Sequence, residues 1–355
     1  MKRYNKLILN ILIYGFAIFG LGMIVAWSAV KLKITNDPGG IDKNDRYFQD
    51  ANVINSQADT PESRLLSNHQ KSGKLLERIT ELYRHYPVDT KRILKQFNET
   101  EDYLTVEKML QAIELNLEDA DEDNKHTETN DQGTASVFYW MNLPEWPVLK
   151  EAVSKDQLII DSVAKVTGID SRLISSVLIA EQIRLFDSRR EAFKKWIQPL
   201  KMLTSETSFS WGVTGIKDFT AMAIEQNLQD STSVFYPGNQ YRQLLRFKSD
   251  DHAAERFNRI TDTKNHYYAY LYAALYMKQI TNQWRLAGFP INLRPEIIAT
   301  LYNIGFANSI PKAMPQVGGA TIDVGGKNYT FGRIAWEYYY SGELDEVFPF
   351  SVAQK

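Results

Sequence analysis

The sequence predicts a mainly α-helical protein in two unequal parts: one N-terminal helix that crosses a membrane, then a larger helical body with one small β-hairpin. Three observations predict this. Residues 7–30 read LILNILIYGFAIFGLGMIVAWSAV, without a single charge. From residue 62 onward, apolar side chains recur at three- and four-residue steps in one segment after another. Only residues 321–331 alternate as strands do, about a Gly325-Gly326 turn.

The apolar run comes first. As a helix it rises about 36 Å, enough for a hydrocarbon core of about 30 Å. Its one strongly polar side chain, Asn10, lies near an end. Lys2, Arg3, Lys6 and the terminal amine precede the span, against Lys31 and Lys33 after it. That balance keeps the N-terminus cytoplasmic and puts the rest of the chain outside. A cleaved signal peptide has a shorter apolar region and a better cleavage site than Ala26-Trp27-Ser28-Ala29. A core helix is rarely apolar on every side. Gly15, Gly20 and Gly22 give the span small faces but no small-xxx-small pattern. The expectation is a single-pass inner (cytoplasmic) membrane anchor over residues 1–33, with the C-terminal domain in the periplasm or outside the cell.

Residues 34–61 are rich in Asp, Asn, Gly and Ser without an apolar period, which reads as a stalk. A helical spacer follows over residues 62–118. Leu75, Leu76, Ile79 and Leu82 set one helical phase, and Leu104, Met109, Ile113 and Leu117 another, with Pro87 between them. Residues 119–136 are acidic and polar with little to bury, hence a linker. The main domain is expected over residues 137–350.

Composition removes several function classes. The 355 residues carry a formal charge of −2, without the basic excess that nucleic acid binding requires. There is no cysteine, and His69, His85, His126, His252 and His266 show no metal-ligand spacing. No metal and no cofactor are expected.

Three segments of the main domain carry candidate chemistry. In GIDSRLISSVLIAEQIRLF, Asp170 or Ser171 caps a helix whose apolar stripe is Ile174, Val177, Leu178 and Leu185. Glu181 falls on that same stripe. A carboxylate aimed at the core must be paired, protonated or lining a cleft; the first alternative is a structural pair with Arg or Lys from another element. Next, Gly212 and Gly215 in SWGVTGIK allow a tight turn close to a ligand, just before a helical run; an ordinary loop-to-helix turn has the same pattern. Third, Pro295 opens a helix that Gly305 ends, placing Tyr302 and Asn303 in its last turn. There Tyr302 either faces a cleft or packs in the core.

In this order the three segments resemble the lytic transglycosylase and goose-type lysozyme family. That family has a helix with a Glu-Ser pair, a Gly-x-x-Gly-Leu-Met-Gln loop and a Tyr-Asn-Ala-Gly helix. The matching pieces are Glu181-Gln182, Gly212-Val213-Thr214-Gly215-Ile216-Lys217 and Tyr302-Asn303-Ile304-Gly305, the last preceded by the long helix HYYAYLYAALYMKQITNQW. The resemblance covers residues 158–305. It departs at Gln182 and Lys217 and has longer gaps between the motifs, the first holding FDSRREAFKKWIQPL.

The resemblance implies a lysozyme-like domain that cleaves the MurNAc-GlcNAc bonds of peptidoglycan glycan strands. Glu181 would be the single catalytic acid/base giving a 1,6-anhydro product, with Gly212, Gly215, Tyr302 and Asn303 shaping the substrate groove. In a hydrolase, Glu206 or Asp218 would be the second carboxylate, but the favoured reading of both is a solvated loop acid. Trp211, Tyr236, Tyr267 and Tyr268 have the chemistry to stack on sugars, but most aromatic residues at helical spacing are core, and none is assigned to substrate. At least one of Tyr338, Tyr339 and Tyr340 is expected to be exposed, since consecutive helical residues diverge. Two expectations compete: an inactive glycan-binding or envelope scaffold protein, in which Gln182 and Lys217 mark lost turnover, and an envelope assembly component whose helices over residues 62–119 pair with an envelope protein partner.

Overall fold

The computed structural model describes residues 73–99, 102–122, 135–186 and 210–351. The expected anchor and stalk, most of the acidic linker, the FDSRREAFKKWIQPL stretch after its first residue, and Glu206 lie outside the described residues. Among the described residues, no helix is long and apolar enough to cross a membrane.

The fold is mainly helical, as the periodicity predicts. Helix α1 covers residues 73–83. Pro87 then opens α2 (Pro87–Glu99), at a position where its missing N–H costs nothing. Asp102 caps α3 (Tyr103–Glu122) by accepting from the Thr105 N–H at 3.3 Å and the Thr105 hydroxyl at 2.6 Å. The main body adds α4 (Trp146–Lys155), α5 (Gln157–Thr167), α6 (Ser171–Phe186), α7 (Asp218–Gln229), α8 (His252–Thr261), α9 (Tyr267–Leu286), α10 (Pro295–Ile304) and α11 (Phe331–Tyr340).

Two antiparallel pairs complete it. The expected hairpin is β3 (Thr321–Val324) with β4 (Lys327–Thr330), turning at Gly325 and Gly326, both with positive φ. A second, unforeseen pair joins β1 (Ser210–Trp211) to β2 (Ile216–Lys217) and closes the glycine turn. These two-residue strands are too short to show alternation in sequence.

The central helix is α6. The sequence suggests a one-sided stripe, but every residue from Arg172 to Glu181 is buried. Helices α5, α9, α10, α11 and strand β3 all pack against it. Its polar residues are absorbed locally: the Ser175 and Ser176 hydroxyls donate to the carbonyls of Arg172 and Leu173 at 2.8 Å. The Arg172 guanidinium donates to the carbonyls of Tyr338, Tyr339 and Phe348, fastening the C-terminal segment. Asp170 supplies the cap, accepting from the Arg172 N–H at 3.0 Å.

The spacer helices do not stand apart. Leu75, Ile79, Ile93, Val106, Met109, Leu110 and Ile113 belong to the same apolar core as α6 and α11. Polar contacts reinforce the joint. Glu337 on α11 accepts from Asn116 at 3.0 Å, Trp140 Nε1 at 2.8 Å and Arg333 at 2.8 Å, all buried. Buried Asp89 accepts from the Ser136 hydroxyl and the Val137 N–H, each at 2.8 Å. The linker is correspondingly shorter than its composition suggests: α3 runs on to Glu122, and the chain is tied down again by Ser136. Acidic composition hides these anchors, because periodicity gives the faces of α1 to α3 but not what covers them.

The tyrosine expectation fails in the same region. Tyr338 and Tyr340 are buried and Tyr339 is half-buried, its hydroxyl donating to Asp170 at 2.7 Å. The segment after α11 folds back over this face, so all three directions are covered.

Candidate active site

Glu181 sits in the fourth turn of α6 with a side chain only 3% exposed. Its carboxylate lies directly over the glycine turn between β1 and β2. Gly215 has φ +66°, and a Cβ there would stand 1.9 Å from Glu181 Oε1 and 2.3 Å from its Cδ. Two independent constraints thus require glycine: left-handed backbone, and a carboxylate where a methyl group would go. Gly212, at φ +62°, has the same double requirement, because its Cβ would lie 2.1 Å from the Ile260 carbonyl oxygen on α8.

The turn is held to α6, α9 and α10. Gln182 Nε2 donates to the Val213 carbonyl at 2.6 Å. The Tyr302 hydroxyl donates to the Thr214 carbonyl at 2.8 Å. The Thr214 hydroxyl donates to the Ala269 carbonyl on α9 at 3.3 Å. Two consecutive residues of the turn, Val213 and Thr214, are therefore clamped by three different elements, and the next, Gly215, receives Glu181.

Tyr302 is 7% exposed, and its ring lies against Tyr276 and Phe331, with centroids at 5.0 and 6.5 Å. Burial pushes its phenol well above the ordinary range, and the nearby Glu181 charge adds to that. At neutral pH it is a hydrogen-bond donor. Of the alternatives read for Tyr302, the structure shows the packed one: the ring is core, and the hydroxyl is bonded to the turn.

Asn303 faces elsewhere. Its Oδ1 accepts from the Ala320 N–H at 2.7 Å, bracing the strand entry beside Gly319 (φ +97°). Gly305 ends α10 at φ +96° with its N–H on the Leu301 carbonyl. Of the expected site residues, the structure brings together Glu181, Gly212, Gly215 and Tyr302, with Gln182 beside them, and places Asn303 against the hairpin.

The residue that sequence reading passed over is Arg184. It donates from Nε to Glu181 Oε2 at 3.1 Å, and from Nη2 to Glu181 Oε1 in a short contact. The pairing was expected from another element; it comes instead from the same helix, three residues on. The signal was present, since side chains at i and i+3 are neighbours on a helix surface.

Other charges near the turn are committed. Asp218 opens α7 and accepts from Arg256 at 3.2 Å, while Glu225 takes the same guanidinium at 2.7 Å. Glu225 also accepts from the Tyr272 hydroxyl at 2.5 Å. Asp218 is thus an ion-paired helix start, not the solvated loop acid that the sequence suggests. Lys217 lies over the Phe219 ring, 5.7 Å from its centroid. Tyr267 and Tyr268 are half-buried, the latter under Arg259 at 4.4 Å. Tyr236, also half-buried, donates to Asn239 at 2.5 Å.

No family model matches the chain, and no curated protein or solved structure is similar to it. The functional reading therefore rests on the residues and their geometry.

Proposed function

We propose that this protein is a membrane-anchored, lysozyme-like enzyme that cleaves peptidoglycan glycan strands, with Glu181 as its acid/base. The carrying observation is the convergence at one point of three segments far apart in sequence: the Glu181 carboxylate, the Gly212–Gly215 turn under it, and the Tyr302 hydroxyl tied to that turn. A glutamate placed against a glycine turn suits acid/base work on a glycosidic bond.

In the proposed reaction the protonated Glu181 gives its proton to the glycosidic oxygen while the C1–O bond breaks through an oxocarbenium-like state. The carboxylate so formed then removes the proton of the sugar's own C6 hydroxyl, whose oxygen closes on C1. The product is a 1,6-anhydro sugar, no water is consumed, and Glu181 ends protonated as it began. The outcome proposed is that of a lytic transglycosylase, which needs no second carboxylate; Asp218, one of the two acids named for a hydrolase, is bound to Arg256. Tyr302 and Gln182 keep the turn fixed under the carboxylate.

One observation favours a second reading, that of an inactive glycan-binding or envelope scaffold protein. The Glu181 carboxylate is nearly enclosed and bonded through both oxygens to Arg184. The two readings separate on one experiment. The chain from Gly39 onward, with and without Glu181→Gln, is incubated with purified sacculi. Soluble glycan fragments from wild type alone support the enzyme; sedimentation with sacculi without release supports the binder.

A further inference from the structure

The far end of α7 borders a cavity of about 940 Å³ that contains neither Glu181 nor any residue of the glycine turn. It opens between the last turns of α7, residues 242–247 of the loop that follows, and His252 at the start of α8. At 1.5 Å per residue, Glu225 to Asp230 stand about 10–18 Å along the helix axis from Asp218, where α7 leaves the turn. The volume is at the upper end of the roughly 300–1,000 Å³ of small-ligand sites, with room for more than one sugar ring.

The walls are fixed by the protein itself. Arg259 donates to the carbonyls of Leu245 at 3.0 Å and Arg246 at 2.7 Å. Gln229 Nε2 donates to the Arg242 carbonyl at 2.9 Å, and Arg242 Nη2 returns a bond to the Gln229 carbonyl at 3.3 Å. The Tyr241 hydroxyl ties the same loop to the Thr167 carbonyl at 3.2 Å. Phe247 packs against the Arg259 guanidinium, 5.0 Å from its centroid, and against the His252 ring, 4.3 Å away and within 13° of parallel. The imidazole is the exposed plate of that stack.

The charges of the lining cancel. Arg242 and Arg246 stand against Glu225 and Asp230, so net charge selects neither an anion nor a cation. Glu225 is already bonded through both oxygens to Arg256 and through one to Tyr272, and Asp230 accepts from Thr232. What the lining offers is hydrogen bonding in both senses, from the exposed amides of Gln226 and Gln243 and the remaining N–H groups of Arg242. A sugar hydroxyl donates and accepts through one atom, and the C–H face of a pyranose lies flat on an aromatic plate. A peptide would want apolar side-chain pockets, whereas Leu228 and Leu245 are buried. We infer that this cavity is a non-catalytic binding site for a neutral oligosaccharide. The His252–Phe247 stack is its platform, and Gln226, Gln243 and Arg242 are its hydroxyl partners. The site goes beyond the cleavage reading and stands whether or not Glu181 breaks a bond.

The test follows the His252 ring in the full chain by proton–carbon NMR, its resonances assigned by their loss in His252→Gln. Glu181→Gln serves as background so that the probe is not consumed. Chitotetraose, a neutral β-1,4 tetrasaccharide, should shift the His252 resonances saturably. Binding elsewhere on the chain would leave them in place. Gln226→Ala combined with Gln243→Ala should weaken that response on the order of tenfold, the worth of about two hydrogen bonds. Both residues are exposed, so the melting temperature should not change and a folding defect is separable. Tetragalacturonate, an acidic tetrasaccharide, and end-blocked tetraalanine, a neutral peptide, should each bind more weakly than chitotetraose. His252 resonances unmoved by chitotetraose, a response that survives the double substitution, or a tighter response to the acid or the peptide overturns the inference. Fragment release from sacculi by the chain with native Glu181 judges the cleavage reading separately. A His252 response in a chain that releases nothing keeps the inference and removes that reading; release without a His252 response does the reverse.

Discussion

Replacing Gly215 by alanine tests the closest contact of the site. The new Cβ would stand 1.9 Å from Glu181 Oε1, whereas real Cβ contacts are essentially never under 3.0 Å, so the carboxylate or the turn must retreat by about 1 Å. Neither is loose, since Glu181 is held by Arg184 and the turn by Gln182, Thr214 and Tyr302. A left-handed alanine costs a further ~1–2 kcal/mol of stability. Displacing a catalytic group by about 1 Å lowers turnover on the order of 100-fold. Gly288→Ala separates these two effects. Gly288 also has positive φ (+84°), but its Cβ would meet nothing within 4 Å. Both variants should lose a few degrees of melting temperature in thermal unfolding. Only Gly215→Ala should lose release of soluble fragments from sacculi. Equal activity in the two variants refutes the placement of Glu181 over the turn as the basis of activity.

Three further outcomes follow from the packing. Glu337→Met strips Arg333, Asn116 and Trp140 of a shared buried acceptor and should cost roughly 3 kcal/mol or more in urea denaturation; a loss under about 1 kcal/mol contradicts the network. A chain starting at Ala135 lacks Val106, Met109, Leu110 and Ile113 from the core and should unfold without a cooperative transition, whereas one starting at Gly39 should show one; near-ultraviolet circular dichroism distinguishes them. Burial pushes the Asp89 carboxyl above its ordinary value near 3.8, against the opposing pull of the Val137 N–H and Arg92. With the folded value raised, the Asp89 protonation contribution is complete below about 3.8 and is lost as pH rises through the folded value. Asp89→Asn should therefore flatten that decline in denaturation curves taken across the acid range; an unchanged slope removes Asp89 as its source.

Much of the site was legible because it depends on local rules. Glu181 betrayed itself by occupying an apolar phase on a helix, and Gly212 and Gly215 by a spacing that permits a tight turn. The helix limits at Pro295 and Gly305, and the hairpin at Gly325-Gly326, follow from dihedral preferences that a sequence displays directly. What escaped depends on the partner across space. The core role of α1 to α3 was hidden because an amphipathic face does not name what covers it. The full burial of α6 was hidden because Arg172, Ser175 and Ser176 look like a solvent face until their acceptors are known. Asn303 has the look of a groove residue and is a brace for Ala320. Arg184 was readable by spacing alone, and its omission came from seeking the partner of Glu181 on another element.

The most direct test of the central claim is a mass spectrum of what the chain from Gly39 releases from purified peptidoglycan, beside that of the Glu181→Gln variant. Products ending in 1,6-anhydro-MurNAc from the wild type, and none from the variant, are the predicted result. Release of the same products by the Glu181→Gln variant, or no release by a folded wild type, contradicts Glu181 as the acid/base of a glycan-cleaving enzyme.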